Sequence, residues 1–273
     1  MDRAASVARM AGAWFSIVLA ASCGGEKIRL GDATGGSGAV AGNAGAASGA
    51  ASLGGAGAGA GGSNGGINAG GGSAGSAPTC RHGSVQANEV LWIGDSWVTI
   101  PGTQYNRVEE LARAVDAIGP SDEYVVLAAA AAGIDAIVNQ YKLRQAGATK
   151  VRILIMDGGT WDTLNAGGSA ASVNLVVNTF KQFLATIASD GTVEHIIYYL
   201  VPELPTVAGV AELRPKIFQA CAESTVPCHF IDLQQSWAPE YTDPTNGIQA
   251  SEAGARKIAD LVWQTMQDNC IAQ

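Results

Sequence analysis

The chain predicts an α/β domain, with a parallel sheet covered by helices on both faces. Three observations carry that prediction. Between residues 80 and 273, five short apolar runs alternate with five helical patterns. A parallel sheet needs such alternation, because each crossover must return the chain over a sheet face. The first apolar run, Val90-Leu91-Trp92-Ile93, has the length of a strand buried on both faces, and it stops at Gly94-Asp95-Ser96. The composition also changes at Cys80, leaving about 190 residues of mixed character, enough for one well-buried domain.

Before that point the chain reads differently. Residues 1–22 have the pattern of an export signal: Asp2, Arg3 and Arg9 precede an apolar run from Met10 to Ala21. The run is shorter than the roughly 20 apolar residues that span a bilayer. It closes Leu19-Ala20-Ala21-Ser22-Cys23-Gly24, which resembles a relaxed bacterial lipobox. That resemblance implies an acylated Cys23 and, with Gly24 rather than aspartate next, sorting to the outer membrane or cell surface. Ordinary cleavage that leaves Cys23 as a free thiol is the alternative. Residues 23–79 are almost wholly Gly, Ala, Ser and Asn. They cannot bury enough apolar area to offset chain entropy and read as a flexible tether, with an end-to-end distance of about 40 Å. The Gly/Ala repeat at 55–62 is not a dinucleotide fingerprint, since no strand precedes it and no helix follows.

Within residues 80–273, strands are predicted at Glu89–Ile93, Glu123–Leu127, Val151–Met156, His195–Leu200 and His229–Ile231. Helices are predicted at about Gln104–Ile118, Ile134–Gly147, Ala170–Ala188, Val210–Glu223 and Ser251–Asp268. In the last helix Ile258, Leu261, Val262 and Met266 fall at i, i+3, i+4 and i+8, on one face. Ser251 with Glu252 supplies an N-cap and an acidic first turn. The net charge of −8, with no cluster of Lys and Arg, excludes a nucleic-acid backbone as partner. After the signal no stretch is long and apolar enough to span a membrane, so the lipid is the one expected membrane contact. A monomer is expected.

With Cys23 set aside, Cys80, Cys221, Cys228 and Cys270 remain. An exported protein meets an oxidising environment, so two disulfides are expected. Cys221 lies late in a helix and Cys228 just before the next strand, at one rim of the sheet. Cys80 precedes the first strand, and Cys270 ends a helix that runs back to the same rim. The expected pairs are therefore Cys221–Cys228 and Cys80–Cys270. No CxxC spacing or histidine cluster supports a metal site, and no cofactor is expected.

Serine acyl transfer needs a hydroxyl, a base and oxyanion donors. Ser96 follows a buried strand, where open α/β sheets place ligands, although Gly-Asp-Ser also occurs in ordinary turns. Gly133 follows an alanine run and opens a helix. Gly158-Gly159-Thr160-Trp161-Asp162 follows the third strand, and Asn246-Gly247-Ile248-Gln249 precedes the last helix. Together these segments resemble, in order, the four motifs of the SGNH (GDSL-type) hydrolase family. The resemblance implies a three-layer α/β/α, flavodoxin-like fold with a five-stranded parallel sheet, and carboxylic ester hydrolysis on a small-molecule or glycan ester. It implies Ser96 as nucleophile and the Gly133 N–H in the oxyanion hole. The chain departs from the pattern at three places: Trp161 stands for the oxyanion asparagine, Gln249 for the histidine and Asn246 for the aspartate. An amide has no useful basicity, so Gln249 cannot be a general base. His82, His195 and His229 all lie before or at the start of strands, at the far rim. The carboxylates near the active rim are Asp95, Asp162, Glu203 and Asp243. Either one of these is recruited as base in an ester hydrolase, or the domain binds a glycan or acyl group without turning it over. Trp92, Trp97 and Trp161 are expected to cluster at this rim.

Overall fold

The computed structural model describes residues 85–271, so the signal, the tether, Cys23, Cys80 and His82 lie outside the described residues. The strands are β1 (Val90–Ile93), β2 (Val125–Val126), β3 (Ile153–Met156), β4 (His195–Leu200) and β5 (Cys228–Asp232). The helices are α1 (Ser96–Thr99), α2 (Thr103–Ala114), α3 (Ile134–Gln145), α4 (Thr160–Asn165), α5 (Ala170–Asp190), α6 (Val210–Ala222) and α7 (Glu252–Asp268). All strand pairs are parallel, in the order β2-β1-β3-β4-β5. In this flavodoxin-like order the winding reverses between β1 and β3, which opens a crevice at their carboxyl ends.

Every residue of β1 and β3 is buried, because helices cover both sheet faces. Their sequences therefore read as unbroken apolar runs rather than alternating ones. On one side α2 packs with α7, and on the other α5 packs with α3 and α6. α5 buries Val173, Val176, Val177, Phe180, Phe183, Leu184 and Ile187, a stripe at three- and four-residue spacing. Ser251 caps α7 through its hydroxyl, which accepts from Gly254 N–H at 3.2 Å. Among the described residues no helix is long and apolar enough to cross a membrane.

Several boundaries differ from expectation. α2 stops at Ala114, short of Ile118, because Asp116 takes φ +58° and the N–H of Ala117 turns back to Ala112. β2 keeps two of the five residues predicted at Glu123–Leu127. It is an edge strand, and the Tyr124 N–H leaves the ladder to donate to Glu109 Oε1 at 2.8 Å. β5 gains Cys228 and Asp232 beside the predicted His229–Ile231, since β4 offers both a backbone partner. The expected Cys221–Cys228 disulfide is present. Cys270 is also disulfide-bonded, and its expected partner Cys80 lies outside the described residues.

Candidate active site

Ser96 is the first residue of α1, directly after the β1 turn. Almost every backbone group around it is held. Gln140 of α3 clamps Gly94, accepting from its N–H at 2.9 Å and donating to its carbonyl at 3.1 Å. The Asp95 N–H donates to Asp157 Oδ1 at 2.9 Å, and Asp95 Oδ1 accepts from the Trp97 N–H at 2.9 Å. The Trp97 carbonyl accepts from Gln104 Nε2 and from the Tyr199 hydroxyl. Gly94 takes φ +148°, and an added Cβ would sit 1.8 Å from Asp157 Oδ1, so only glycine fits here. Ser96 itself is half-buried, and neither its N–H nor its hydroxyl has a hydrogen-bond partner among the described residues.

The second and third predicted segments interlock with this turn. The Ala129 N–H donates to the Gly94 carbonyl at 3.1 Å, tying the loop before α3 to the serine turn. Gly133 is the N-cap of α3, and its N–H is also without a partner among the described residues. Asp162 of α4 accepts from the Ile134 N–H at 2.9 Å, and its other oxygen would lie 2.8 Å from a Cβ on Gly133. Burial raises the Asp162 carboxyl above its ordinary range, and the Ile134 bond offsets part of that rise. Trp161 precedes it, half-buried, with its indole N–H free of partners among the described residues. The expected tryptophan cluster does not form. Trp92 packs in the core against Tyr199 at 6.4 Å, and Trp97 packs on Trp237 at 5.4 Å. Trp92 lies within β1 and Trp97 in α1, and among the described residues no ring contact joins either to Trp161.

The last motif forms a tight polar loop. Asn246 Oδ1 accepts from the N–H groups of Ile248 and Gln249, each at 2.9 Å. Asn246 Nδ2 donates to Asp243 Oδ2 at 2.8 Å and to Gln249 Oε1 at 3.2 Å. The loop is tied to α1 indirectly: Trp237, packed on Trp97, also contacts Tyr241, whose carbonyl accepts from Ser251 N–H. No hydrogen bond joins Gln249 to Ser96. Gln249 Oε1 accepts one bond, and the amide N–H groups of Gln249 have no partner among the described residues.

Among the described residues no histidine or carboxylate is hydrogen-bonded to Ser96. His195 and His229 bond each other at 3.1 Å at the amino ends of β4 and β5, the opposite rim. Asp95 is buried, and its Oδ1 accepts from the Trp97 N–H. Asp243 is held below its ordinary range by Thr245, and Glu203 pairs with Arg214 at 3.6 Å. Asp162 alone combines partial burial, a raised pKa and a place beside Gly133. Among the described residues no group of three or more His, Cys, Asp or Glu side chains could hold a metal. Sequence reasoning missed Asp157, Gln140 and Gln104, which build the turn. Their signal was present: polar side chains at positions where the pattern calls for apolar ones, such as Gln140 between Ile137 and Tyr141.

No family model matches the chain, and no curated protein matches its sequence. Solved structures do. A family 3 carbohydrate esterase from Clostridium thermocellum aligns with TM-score 0.53 at 15% identity, covering 66% of this chain and 96% of its own. A family 3 carbohydrate esterase from Talaromyces cellulolyticus gives TM-score 0.51 at 13% identity, covering 66% and 97%. TesA gives TM-score 0.51 at 11% identity, covering 65% and 97%. The chain therefore has the three-layer α/β/α fold of SGNH/GDSL-type hydrolases, with Ser96 opening α1 after β1, Gly133 capping α3 and Trp161 in the first turn of α4 after β3.

Proposed function

We propose that this domain recognises an acyl ester, of the kind carried by acetylated carbohydrates, at the Ser96–Gly133 rim and hydrolyses it at no more than a residual rate. One observation carries the reading: where the family resemblance puts the basic histidine the sequence has Gln249, an amide hydrogen-bonded to Asn246. The groups left open are donors. They are the N–H of Ser96, the N–H of Gly133, the indole N–H of Trp161 and the amide of Gln249. Such a set suits an acceptor oxygen. Asp162 already places negative charge at the α3 amino terminus, so a neutral ester carbonyl fits better than a carboxylate. The carbohydrate esterases among the structural neighbours support the ligand class. Without a base Ser96 is not activated as a nucleophile, and what remains, about 10³–10⁴ over water, comes from the oxyanion donors and binding alone.

A second reading has one observation behind it. Asp162, with its raised pKa, would take the Ser96 proton and sustain true hydrolysis. Fluorophosphonate labelling and p-nitrophenyl acetate hydrolysis separate the two. The binding reading expects no labelling, equal hydrolysis by wild type and Ser96→Ala, and saturable binding of an acetylated xylo-oligosaccharide. Labelling at Ser96 that disappears in Asp162→Asn would replace it with the hydrolase reading.

A further inference from the structure

The Asp95–Asp157 pair lies directly beneath the serine turn, and its role here rests on the recognition proposed above. Asp95 is 2% and Asp157 1% exposed. Their carboxyl groups are in hydrogen-bond contact, and Asp157 Oδ1 also accepts from the Asp95 N–H. No lysine, arginine or histidine among the described residues acts on either. The other titratable groups around them are Asp162 of α4 and the buried phenols Tyr198 and Tyr199 of β4. Two carboxylates in contact in a dry interior, with no cation, cannot both be ionised. One proton must lie between them. Asp157 Oδ2 is buried with no hydrogen-bond partner among the described residues, while Asp95 Oδ1 already accepts from the Trp97 N–H, so Asp157 holds the proton and Asp95 is the acceptor.

The pair also explains a selective feature of the turn. The N–H of residue 95 is bound by Asp157, and the N–H of residue 97 is bound by Asp95. The N–H of Ser96, between them, is left open. We infer that Asp157 is a neutral carboxylic acid that donates to Asp95, and that this acid pair is the positioning device that holds the Ser96 N–H open. Sharing the proton also limits the buried charge beneath that N–H to one, which spares its attraction for a ligand oxygen.

Burial and the Asp95 contact both raise Asp157, so the folded pair binds a proton that the unfolded chain releases above about pH 4. Its contribution to stability is therefore complete below about pH 4 and declines as pH rises towards the folded value. Asparagine at 157 is isosteric, accepts from the Asp95 N–H, donates to the Asp95 carboxylate and does not titrate. The test compares the full chain with Asp157→Asn and Asp157→Ala. Asp157→Asn should match wild type in melting temperature near pH 4 and exceed it increasingly up to pH 8. Its Ser96 amide resonance should stay in place. Asp157→Ala should melt about 3–10 °C lower, from the loss of a buried hydrogen bond, and shift that resonance. The infrared carbonyl band of a protonated carboxylic acid should be present at pH 7 in wild type and absent in Asp157→Asn. Absence of that band from wild type would overturn the inference. So would parallel pH slopes for wild type and Asp157→Asn, or equal damage by asparagine and alanine. Because Asp157→Asn should fold, the inference stays testable even if Asp157→Ala does not.

Discussion

Replacing Gly94 by alanine should be among the most damaging single-methyl additions in this domain. The added Cβ would lie 1.8 Å from Asp157 Oδ1 and 2.7 Å from Val98 Cγ2, where ordinary contact begins at 3.4 Å. Neither neighbour has room to move: Asp157 and Val98 are both buried. Relief therefore means pushing Asp157 away, which breaks its bond with the Asp95 N–H and strands two buried polar groups, at about 1–3 kcal/mol. Overpacking adds about 1–3 kcal/mol. The φ of +148° adds about 1–3 kcal/mol of backbone strain for any L side chain. The sum, about 4–6 kcal/mol after partial relaxation, corresponds to a melting temperature lower by about 10–20 °C for a domain of this size. Gly247→Ala is the control. Its φ is +66° but nothing lies within 4 Å of the added carbon, so only the left-handed backbone cost of about 1–2 kcal/mol remains. Circular dichroism melts of both variants read the difference directly. In an Asp157→Ala background the Gly94→Ala penalty should shrink, because the main clash is gone. A Gly94→Ala protein that melts within about 3 °C of wild type, or below which Gly247→Ala falls, would refute the packing argument.

Other outcomes follow from the same geometry. Restoring the family pattern with Asn246→Asp, Gln249→His and Trp161→Asn together should raise p-nitrophenyl acetate hydrolysis by about 10²–10⁴-fold, and adding Ser96→Ala should abolish the gain. Burial lowers the pKa of both His195 and His229, so the folded state binds fewer protons than the unfolded one; melting temperature should fall as pH drops below about 6.5, and His229→Gln should flatten that slope. Removing the Cys221–Cys228 bridge, which closes a loop of sequence separation 7, should cost about 2–3 kcal/mol in thermal or denaturant melts. Cys23→Ser should move the protein from the membrane to the soluble fraction, and unchanged fractionation would remove the lipid anchor from the picture.

The α/β class, the five strands and the main helices were legible because each rests on a local period. β1 and β3 are apolar throughout, and α5 and α7 repeat at helical spacing. The candidate nucleophile was legible for a similar reason: Ser96 follows a buried strand and a glycine. The short helices α1 and α4 were not, since four and six residues are too few to show a period. The shrinkage of β2 was hidden too, because it depends on Glu109 reaching across from α2 to take the Tyr124 N–H.

The sequence by itself determined that the segment before the last helix carries amides. Gln249 and Asn246 are amides in any fold, and no structure can make them basic. What only the tertiary structure decided is which groups are left to act. Asp95 and Asp157 are 62 positions apart in the chain, yet they meet under one turn, where the low dielectric forces them to share a proton. The sequence already set His195 and His229 at the far rim, but only the parallel register of β4 and β5 brought the two rings against each other. Residue type is a local property. Protonation and reach depend on burial and on partners from distant strands, which exist only once the sheet has closed.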